Sequence, residues 1–220
     1  MSVAAAPRPP ADVEAVVFDL DGVLVDTEPV HLAATRALIA PAELADDVYE
    51  QFIGTGGFEQ WLAATYEITI EQIRERYSGL VRDELARADL RPLDGVVELL
   101  EAIGERGIAL AVASQSSRRT VETTLGTAWL DRYFSVITTA GEAGRDKPAP
   151  DVYLLAAERL GVTPAAGIAV EDSVHGIASA SAAGLWVVQS TQASFTPPPQ
   201  SQAGAVVGSL REFDLGWLGG

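Results

Sequence analysis

Two carboxylates that lie close together in the sequence, Asp19 and Asp21, are the first sign of chemistry in this chain. They follow an apolar run in VEAVVFDLDGVLVD, residues 13–26. Side chains two positions apart on a strand point the same way, so both carboxylates face whatever lies beyond the strand tip. Because such groups repel each other, they need a cation, a shared proton or a catalytic role. The continuous apolar run is typical of a parallel strand covered on both faces, and such sheets bind ligands beyond the carboxyl ends of their strands.

This segment has ordinary interpretations as well. Aspartate and glycine favour turns, and an isolated DxDG is as typical of a turn as of a site. A calcium-binding EF-hand loop is excluded, because it has glycine at its sixth position and glutamate at its twelfth. Here Gly22 is the fourth residue counted from Asp19. The choice between a turn and a site therefore depends on the rest of the chain.

Three further segments place polar side chains at the ends of predicted strands. Ser114 and Gln115 follow IALAVA, Lys147 lies in the loop after VITTAGEAG, and Glu171 and Asp172 follow GIAV. The carboxyl ends of parallel strands meet at one edge of a sheet, so we expect these groups to converge with the first pair of carboxylates. A hydroxyl and backbone N–H groups at a helix start bind anions, and carboxylate oxygens suit Mg²⁺. Together they predict magnesium-assisted chemistry on a phosphoryl group, with a carboxylate available as nucleophile.

The residue types suggest which groups bind which ligand. The predicted metal ligands are oxygens of Asp19, Asp21, Glu171 and Asp172. Of these, Asp21 would contribute through a main-chain carbonyl near it, and Glu171 is either a ligand or a partner of a ligand. The predicted phosphate-binding residues are Ser114, Gln115 and Lys147.

Strand and helix patterns alternate after residue 93. The predicted strands are 108–114, 136–140, 167–170, 185–188 and 205–207, and the predicted helices are 94–106, 117–125, 151–160 and 174–183. We expect Asp151 to cap the third of these helices and Gly161 to end it. Such alternation predicts βαβ units, a parallel sheet and therefore an α/β fold. Residues 29–92 interrupt the alternation with helical patterns only, at 31–39, 58–66 and 70–88, and are predicted to form an inserted all-α cap. Residues 196–204, TPPPQSQAG, are predicted to form a solvent loop.

Length and composition limit the classes of protein. The 220 residues suit a flexible N-terminal arm (1–12), an α/β core domain (13–28 and 93–220) and a helical cap domain (29–92). No apolar stretch reaches the ~20 residues of a membrane span, and the N-terminal arm lacks the apolar centre of a signal peptide. The chain has no cysteine, which excludes disulfides and thiolate metal sites and fits a cytoplasmic protein.

The charge of the chain is strongly acidic, with 31 Asp and Glu against 15 Lys and Arg and a net charge of −16. This balance argues against a nucleic-acid partner, because phosphate backbones require a basic surface. A phosphate site in such a protein needs local positive charge, which a divalent cation and Lys147, the only lysine, can supply. We expect a small phosphorylated metabolite as the ligand, neither nucleic acid nor membrane as a partner, and a monomer or weak dimer.

The segment DLDGVLVDTE resembles the first motif of the haloacid dehalogenase superfamily, in the branch that includes β-phosphoglucomutase and related phosphatases. Ser114 matches the second motif of that superfamily, Lys147 the third, and Glu171 with Asp172 the fourth. The resemblance implies a Rossmann-like parallel sheet flanked by helices, with an inserted all-α cap. It further implies that Asp19 is the nucleophile, forming an aspartyl-phosphate, and that Asp21 is the general acid and then the general base.

The resemblance also narrows the reaction. Dehalogenases of the superfamily lack an acid at the position of Asp21 and use no metal, and the phosphonate-cleaving branch needs a cap lysine, which this cap does not contain. The chain is therefore expected to be a Mg²⁺-dependent phosphatase acting on a small metabolite such as a sugar phosphate. A β-phosphoglucomutase-type mutase is the alternative, although the cap loop that carries a lysine and an arginine in the mutase reads FIGTGG here. A catalytically idle binding module is a third, weaker hypothesis.

Several cap residues are candidates for substrate contact. His31 aligns with a histidine that lies near the general acid in the β-phosphoglucomutase-like branch, but it can equally pack on the first cap helix. Gly54, Thr55 and Gly56 belong to a loop that could reach the substrate. Arg82 is the best cap candidate for binding a second anionic group, although an exposed arginine on an amphipathic helix is the more common outcome.

Overall fold

A parallel sheet of six strands forms the centre of the protein. A computed structural model describes residues 8–52, 57–194 and 196–219. The strands are β1 (Ala15–Phe18), β2 (Ala109–Ser114), β3 (Val136–Thr139), β4 (Gly167–Glu171), β5 (Trp186–Ser190) and β6 (Ala205–Val207). Their order is β3-β2-β1-β4-β5-β6, and every neighbouring pair is parallel. The predicted α/β fold with a Rossmann-like parallel sheet is confirmed.

Helices cover both faces of the sheet. A separate group of helices lies in the chain between β1 and the remaining strands. In the described residues the helices are α1 (Glu28–Ile39), α2 (Asp46–Glu50), α3 (Phe58–Thr65), α4 (Ile70–Arg87), α5 (Val96–Glu105), α6 (Arg118–Thr127), α7 (Ala140–Ala143), α8 (Asp151–Leu160) and α9 (Val174–Ala183). All four helices from α1 to α4 lie between β1 and α5 in the chain, as the inserted cap requires. None of the helices in the described residues has the length and apolar character to cross a membrane.

Alternating residues of the strands supply the apolar contacts on the two faces of the sheet. Val16 and Phe18 of β1 belong to a buried cluster on one face, whereas Val17 between them belongs to a cluster on the other. A third cluster lies inside the cap and includes Leu38, Leu62 and Ile73. Burial on both faces explains why the strands read as continuous apolar runs in the sequence.

Helix α4 connects the cap to the core. Its residues Val81 and Leu85 are buried in the same apolar cluster as the strand residues, while Ile73, two turns earlier, is buried in the cap cluster. The chain leaves the core after Val25 and returns at Pro92, and these two residues form an isolated antiparallel bridge. The bounds of the arm, core and cap domains remain predictions, but the two connections to the cap lie side by side.

The predicted elements of the core lie within two residues of the observed ones. One prediction was wrong in detail: Asp151 does not cap α8, because Pro150 occupies the cap position and Asp151 is the first helical residue. Its carboxylate instead accepts a hydrogen bond of 2.8 Å from Arg145. Gly161 ends the helix in a left-handed conformation, as predicted. Helices α2 and α7, of five and four residues, were not predicted, because helical periodicity is not legible over so short a span.

Candidate active site

The register of the central strands determines which groups meet at the carboxyl edge of the sheet. Phe18 pairs with Val112 of β2 and with Val170 of β4, so Asp19 emerges between the ends of these two strands. Its backbone N–H donates to the carbonyl of Val170 at 2.9 Å, which extends the strand pairing by one residue. The side chain of Asp19 is therefore fixed at the sheet edge, and the residue is almost fully buried, with 7% exposure.

Lys147 is the basic partner of Asp19. Its Nζ lies 2.6 Å from Oδ1 of Asp19, 2.6 Å from Oε1 of Glu171 and 3.1 Å from the carbonyl oxygen of Ala113. The ammonium also lies 5.0 Å from the centre of the Tyr153 ring. Burial alone would lower the pKa of Lys147, but the two carboxylates outweigh it and raise the pKa above its ordinary value. Lys147 is therefore charged, and its ammonium lies within hydrogen-bond distance of four acceptors, the fourth being the hydroxyl oxygen of Tyr153 at 3.4 Å.

Glu171 is saturated with hydrogen-bond donors. Its Oε1 accepts from Lys147 and from the hydroxyl of Tyr153 at 2.8 Å. Its Oε2 accepts from the backbone N–H of Asp172 at 3.0 Å and from the backbone N–H and hydroxyl of Ser173, both at 3.1 Å. Burial opposes ionisation of this fully buried group, but Lys147 and these donors hold its pKa below the ordinary value. Close approach of α9 depends on Gly176, since a Cβ there would lie 1.8 Å from Oε1 of Glu171.

The carboxylate of Asp21 has a different environment. Its Oδ1 accepts a hydrogen bond of 2.7 Å from the hydroxyl of Thr27. Its Oδ2 accepts from the hydroxyl of Ser116 at 3.1 Å and lies 3.4 Å from the hydroxyl of Ser114. Hydroxyl groups rather than cations therefore orient Asp21. The residue stays partly exposed beside the more deeply buried Asp19.

Ser114 lies where β2 ends and the chain turns into α6. Its hydroxyl accepts a hydrogen bond of 3.0 Å from the backbone N–H of Ser116, and Ser117 caps the helix by accepting from the N–H of Thr120 at 3.3 Å. A serine hydroxyl beside the start of a ten-residue helix forms a cradle of the kind that binds phosphate. The cradle lies next to Asp21, as the hydrogen bonds from Ser114 and Ser116 show.

Three carboxylates form a group that suits a divalent cation. Oxygens of Asp19, Glu171 and Asp172 all lie within 4.8 Å of one another. Burial raises the pKa of Asp172 well above its ordinary value, and the neighbouring charges of Glu171 and Asp19 raise it further. Burial likewise raises the pKa of Asp19 to about 8, in opposition to Lys147. One ammonium thus faces three carboxylates, and a hard cation with oxygen ligands, such as Mg²⁺, fits the charge that remains unbalanced.

The backbone conformation of Gly22 also supports a metal site at Asp172. It has a positive φ of 82°, and a Cβ at this position would lie 1.9 Å from Oδ2 of Asp172. Only glycine permits the Asp172 carboxylate to approach the loop after β1 so closely. Among the residues that the structure describes, no hydrogen-bond donor satisfies the Asp172 carboxylate, so its oxygens remain available to a metal ion.

A cavity of about 890 Å³ opens above these groups. Its floor is formed by Asp19, Asp21, Lys147 and Asp172. The other described residues that line it are Glu28, Glu50, Gln115, Ser173, Val174, Thr191, Ala193, Ser194, Thr196, Pro197 and Pro198. The cavity therefore lies between the sheet edge, the first helices of the cap and the segment after β5, and it can hold a small molecule.

Comparisons of the sequence with those of known proteins show the family to which this chain belongs. Residues 16–189 match the sequence model of the haloacid dehalogenase-like hydrolases. The chain belongs to this family. It is 32% identical over 177 residues to the phosphorylated carbohydrates phosphatase of Thermotoga maritima, a match that covers 78% of this chain and 82% of that protein. It is also 32% identical over 176 residues to the fructose-1-phosphate phosphatase of Escherichia coli, covering 77% of this chain and 92% of that one.

Solved structures of haloacid dehalogenase-like proteins share the fold. The protein CbbY from Rhodobacter sphaeroides, crystallised with phosphate, superposes with a TM-score of 0.81 and 26% identity. The match covers 94% of this chain and 99% of CbbY. A mutant form of that protein was crystallised with xylulose-(1,5)bisphosphate.

The predicted residues of the four family motifs converge as the haloacid dehalogenase-like fold requires. Hydrogen bonds connect Lys147 to Asp19 and to Glu171, and connect Ser114 to Asp21, while Gln115 lines the cavity. Asp19, Ser114 and Glu171 lie at the ends of three strands, and Lys147 lies in the loop after α7, the short helix that follows β3. The catalytic, metal-binding and phosphate-binding roles assigned to them remain predictions.

Two of the cap candidates, His31 and Arg82, do not line the described part of the cavity. Nδ1 of His31 lies 3.0 Å from the hydroxyl of Tyr77, with the two rings stacked, so His31 packs against α4. Arg82 is partly buried on α4 and does not line the described part of the cavity. Gly54, Thr55 and Gly56 lie outside the described residues.

Several polar groups that complete the site were not predicted. Tyr153, Thr27 and Ser116 hold Glu171 and Asp21 in place, yet each reads as an ordinary helix or turn residue. The usable signal for Tyr153 was its position on the buried face of α8, beside Val152 and Ala156, where a tyrosine hydroxyl requires a buried partner.

Proposed function

We propose that this chain is a Mg²⁺-dependent phosphatase that hydrolyses a small phosphorylated metabolite, a sugar phosphate in particular, through an aspartyl-phosphate on Asp19. One observation carries the proposal: Asp19 lies between the ammonium of Lys147 and the carboxylate of Asp172 at the floor of a cavity. The names of the relatives, which are phosphatases of phosphorylated carbohydrates and of fructose 1-phosphate, support the substrate class.

In the proposed first step the substrate phosphoryl group occupies the floor of the cavity. The hydroxyl of Ser114 and the N–H groups at the start of α6 bind its oxygens, and the nearby positive charge of Lys147 partly neutralises the negative charge of the phosphoryl group. Asp19 and Asp172 would hold Mg²⁺, which would supply charge to screen the carboxylates and to polarise a phosphoryl oxygen. A carboxylate oxygen of Asp19 attacks phosphorus, and the bond to the leaving oxygen breaks. Asp21 in its acid form gives that oxygen a proton, so the alcohol leaves neutral.

In the second step a water molecule attacks the phosphorus of the aspartyl-phosphate. Asp21, now a carboxylate, accepts the proton of the water, and the bond between Asp19 and phosphorus breaks. Inorganic phosphate leaves, Asp19 is again a carboxylate and Asp21 is again an acid. The hydroxyls of Thr27 and Ser116 hold Asp21 in one orientation for both transfers.

Within this mechanism Glu171 acts as a positioning residue. Donors occupy both of its oxygens, and its bond to Lys147 aims the ammonium at Asp19. The metal is therefore proposed to be held by Asp19 and Asp172, with the main-chain carbonyl near Asp21 as the third protein ligand.

The experiment that tests the proposal is phosphate release from a panel of phosphorylated metabolites and from p-nitrophenyl phosphate, with Mg²⁺ and with excess EDTA. Release that requires Mg²⁺ is the expected result. A protein that binds Mg²⁺ and releases no phosphate from any compound would contradict the proposal and favour the idle binding module.

The mutase alternative has a separate readout in the same experiment. A mutase must hold a bisphosphate in two orientations, so it needs a cation at each end of its cavity. With glucose 1-phosphate and a bisphosphate primer, a mutase yields glucose 6-phosphate, whereas the proposed phosphatase yields free phosphate. Formation of glucose 6-phosphate as the main product would reverse the proposal.

A further inference from the structure

The outer part of the cavity carries negative charge. Two carboxylates of the helices that follow β1 line it, Glu28 at the start of α1 and Glu50 at the end of α2. Among the described lining residues the sole cation is Lys147, which is 5% exposed at the floor and already lies within hydrogen-bond distance of four acceptors. The residues at 53–56 and 195 are Ile, Gly, Thr, Gly and Phe, so they bring no positive charge either. A second anionic group on the substrate would therefore have no cationic partner here.

The wall opposite the cap is uncharged and rich in hydroxyl groups. It is formed by the segment after β5, of which Thr191, Ala193, Ser194, Thr196, Pro197 and Pro198 line the cavity. Threonine and serine hydroxyls can each donate and accept, which suits the hydroxyl groups of a polyol. The proline rings offer flat apolar surface beside them.

Gln189 of β5 holds this wall in place. Its side chain is fully buried, and its Nε2 donates to the carbonyls of Pro197 at 3.1 Å and Pro198 at 3.3 Å. Its Oε1 accepts from the backbone N–H of Gln200 at 2.8 Å. The side-chain amide of Gln189 thus provides hydrogen-bond partners for three backbone groups of a proline-rich segment. Few such partners lie within the segment itself. This segment is a fixed surface of the cavity, although its composition predicts a solvent loop.

A second contact ties the same wall to the connection between core and cap. The hydroxyl of Ser194 donates to Oδ2 of Asp26, and Oδ1 of Asp26 accepts from the backbone N–H of Glu28 at 3.3 Å. The wall, the start of α1 and the cavity-lining Glu28 are therefore linked through one aspartate. Their relative positions determine the width of the outer cavity.

We propose that this cavity selects phosphate monoesters whose leaving group is an uncharged polyol or sugar, and rejects substrates that carry a second phosphate or a carboxylate. The inference rests on the proposed phosphatase function and adds its substrate class. An anion in the outer cavity would lose hydration and face Glu28 and Glu50 without a counter-charge. A hydroxyl at the same place can donate to the oxygen of Ser194 and can exchange hydrogen bonds with the hydroxyl of Thr196.

Matched substrate pairs test the proposal. Glycerol 3-phosphate and 3-phosphoglycerate differ in a hydroxymethyl group against a carboxylate, and fructose 1-phosphate and fructose 1,6-bisphosphate differ in one phosphate. We expect kcat/KM to be at least ~10-fold higher for the uncharged member of each pair. Equal or inverted values, with p-nitrophenyl phosphate hydrolysed normally, would overturn the charge selection alone. Failure to hydrolyse any of the five compounds would instead overturn the phosphatase function on which it rests.

Reversing the charge of Glu50 tests whether the carboxylates that line the cavity cause the preference for uncharged leaving groups. Glu50 is exposed at the end of α2, so Glu50→Lys is expected to fold normally and to narrow the preference for the uncharged member of each pair by ~3- to 10-fold, chiefly through KM. Glu75→Lys on the exposed face of α4, outside the cavity lining, makes the same change in net charge and is the control. An equal effect of both variants, or no effect of Glu50→Lys, would contradict selection by the cap carboxylates.

Discussion

Nζ of Lys147 lies 2.6 Å from Oδ1 of Asp19, in a contact that is almost completely removed from solvent. The same ammonium also contacts Glu171, and an oxygen of Asp172 lies within 4.8 Å of oxygens of both Asp19 and Glu171. Three buried carboxylates therefore share one positive charge. Leaving a buried charge without a partner is costly, so we expect the site to bind one further cation.

Removing the carboxylate of Asp172 should abolish the stabilisation of the folded protein by Mg²⁺. A ligand that binds only the folded state stabilises it, by about 2.7 kcal/mol at a hundredfold excess over Kd. We expect Mg²⁺ to raise the midpoint of thermal unfolding of the unsubstituted chain by several degrees. The shift should be absent in Asp172→Asn. Differential scanning calorimetry measures both, and Asp47→Asn, on the exposed surface of α2, is the control. A full Mg²⁺ shift in Asp172→Asn would contradict the metal assignment.

Asp19→Asn should remove turnover without removing the fold. Glu171 is a poor substitute for the nucleophile, because donors occupy both of its oxygens. We expect a loss in kcat of at least about 10³-fold and no phosphoenzyme after acid quench of the reaction with labelled substrate. An Asp19→Asn variant that retains activity, or that still traps labelled phosphate, would assign the nucleophile to another residue.

Asp21→Asn separates proton transfer from binding. General acid–base catalysis contributes about 10²–10⁴-fold, and we expect a loss of this size with metabolite substrates. Phosphate and Mg²⁺ binding should persist, since Lys147, Ser114 and Asp172 are unchanged. With p-nitrophenyl phosphate, whose leaving group needs no proton, the first step should survive and phosphoenzyme should accumulate. Rapid-quench measurement of the phosphoenzyme checks this; full steady-state activity in the variant would remove the role of Asp21.

The core of the site could be predicted from the sequence because each of its members follows an apolar strand. Parallel strands bring their carboxyl ends to one edge, so Asp19, Ser114 and Glu171 had to meet once the strands were identified. The loop that carries Lys147 follows α7, the short helix after β3, and Lys147 is the only lysine of the chain. Local pattern and topology were sufficient for these residues.

The surroundings of the site could not be predicted, because they depend on contacts between distant segments. Tyr153 contacts Glu171 only through the packing of α8 on the sheet, and a tyrosine on a helix face reads as core. The segment after β5 has the composition of a solvent loop, yet the amide of Gln189 turns it into a cavity wall. The contact of His31 with Tyr77 joins residues that are 46 positions apart, and any role of His31 towards a substrate remains a prediction. The hydrophobic periodicity of a sequence does not predict side-chain partners of this kind.

Tyr153→Phe tests the support that Glu171 gives to Lys147. The change removes one hydroxyl from a buried network and keeps the ring beneath the ammonium, so we expect a loss of about 1–3 kcal/mol in the free energy of unfolding. Because Glu171 would be less firmly held, kcat should fall several-fold with little change in KM. Tyr133→Phe, which removes an exposed tyrosine hydroxyl, is the control. Urea unfolding and steady-state kinetics give both quantities; unchanged stability together with unchanged kcat would show that the hydroxyl is dispensable.

Gln189→Leu tests the wall of the outer cavity independently of the chemistry at its floor. Leucine keeps the side-chain volume within the buried sheet but leaves the carbonyls of Pro197 and Pro198 and the N–H of Gln200 without their partner. The segment 196–200 should then lose its fixed position, and we expect KM for a sugar phosphate such as fructose 1-phosphate to rise by about fivefold or more, which corresponds to about 1 kcal/mol of binding free energy. The kcat for p-nitrophenyl phosphate should stay within about twofold, because Gln189 is not bonded to the groups at the cavity floor. Gln192 lies on the same segment but does not line the cavity, which makes Gln192→Leu the matched control. Equal losses with both substrates in Gln189→Leu would mean that the glutamine supports the whole sheet edge and not the leaving-group wall.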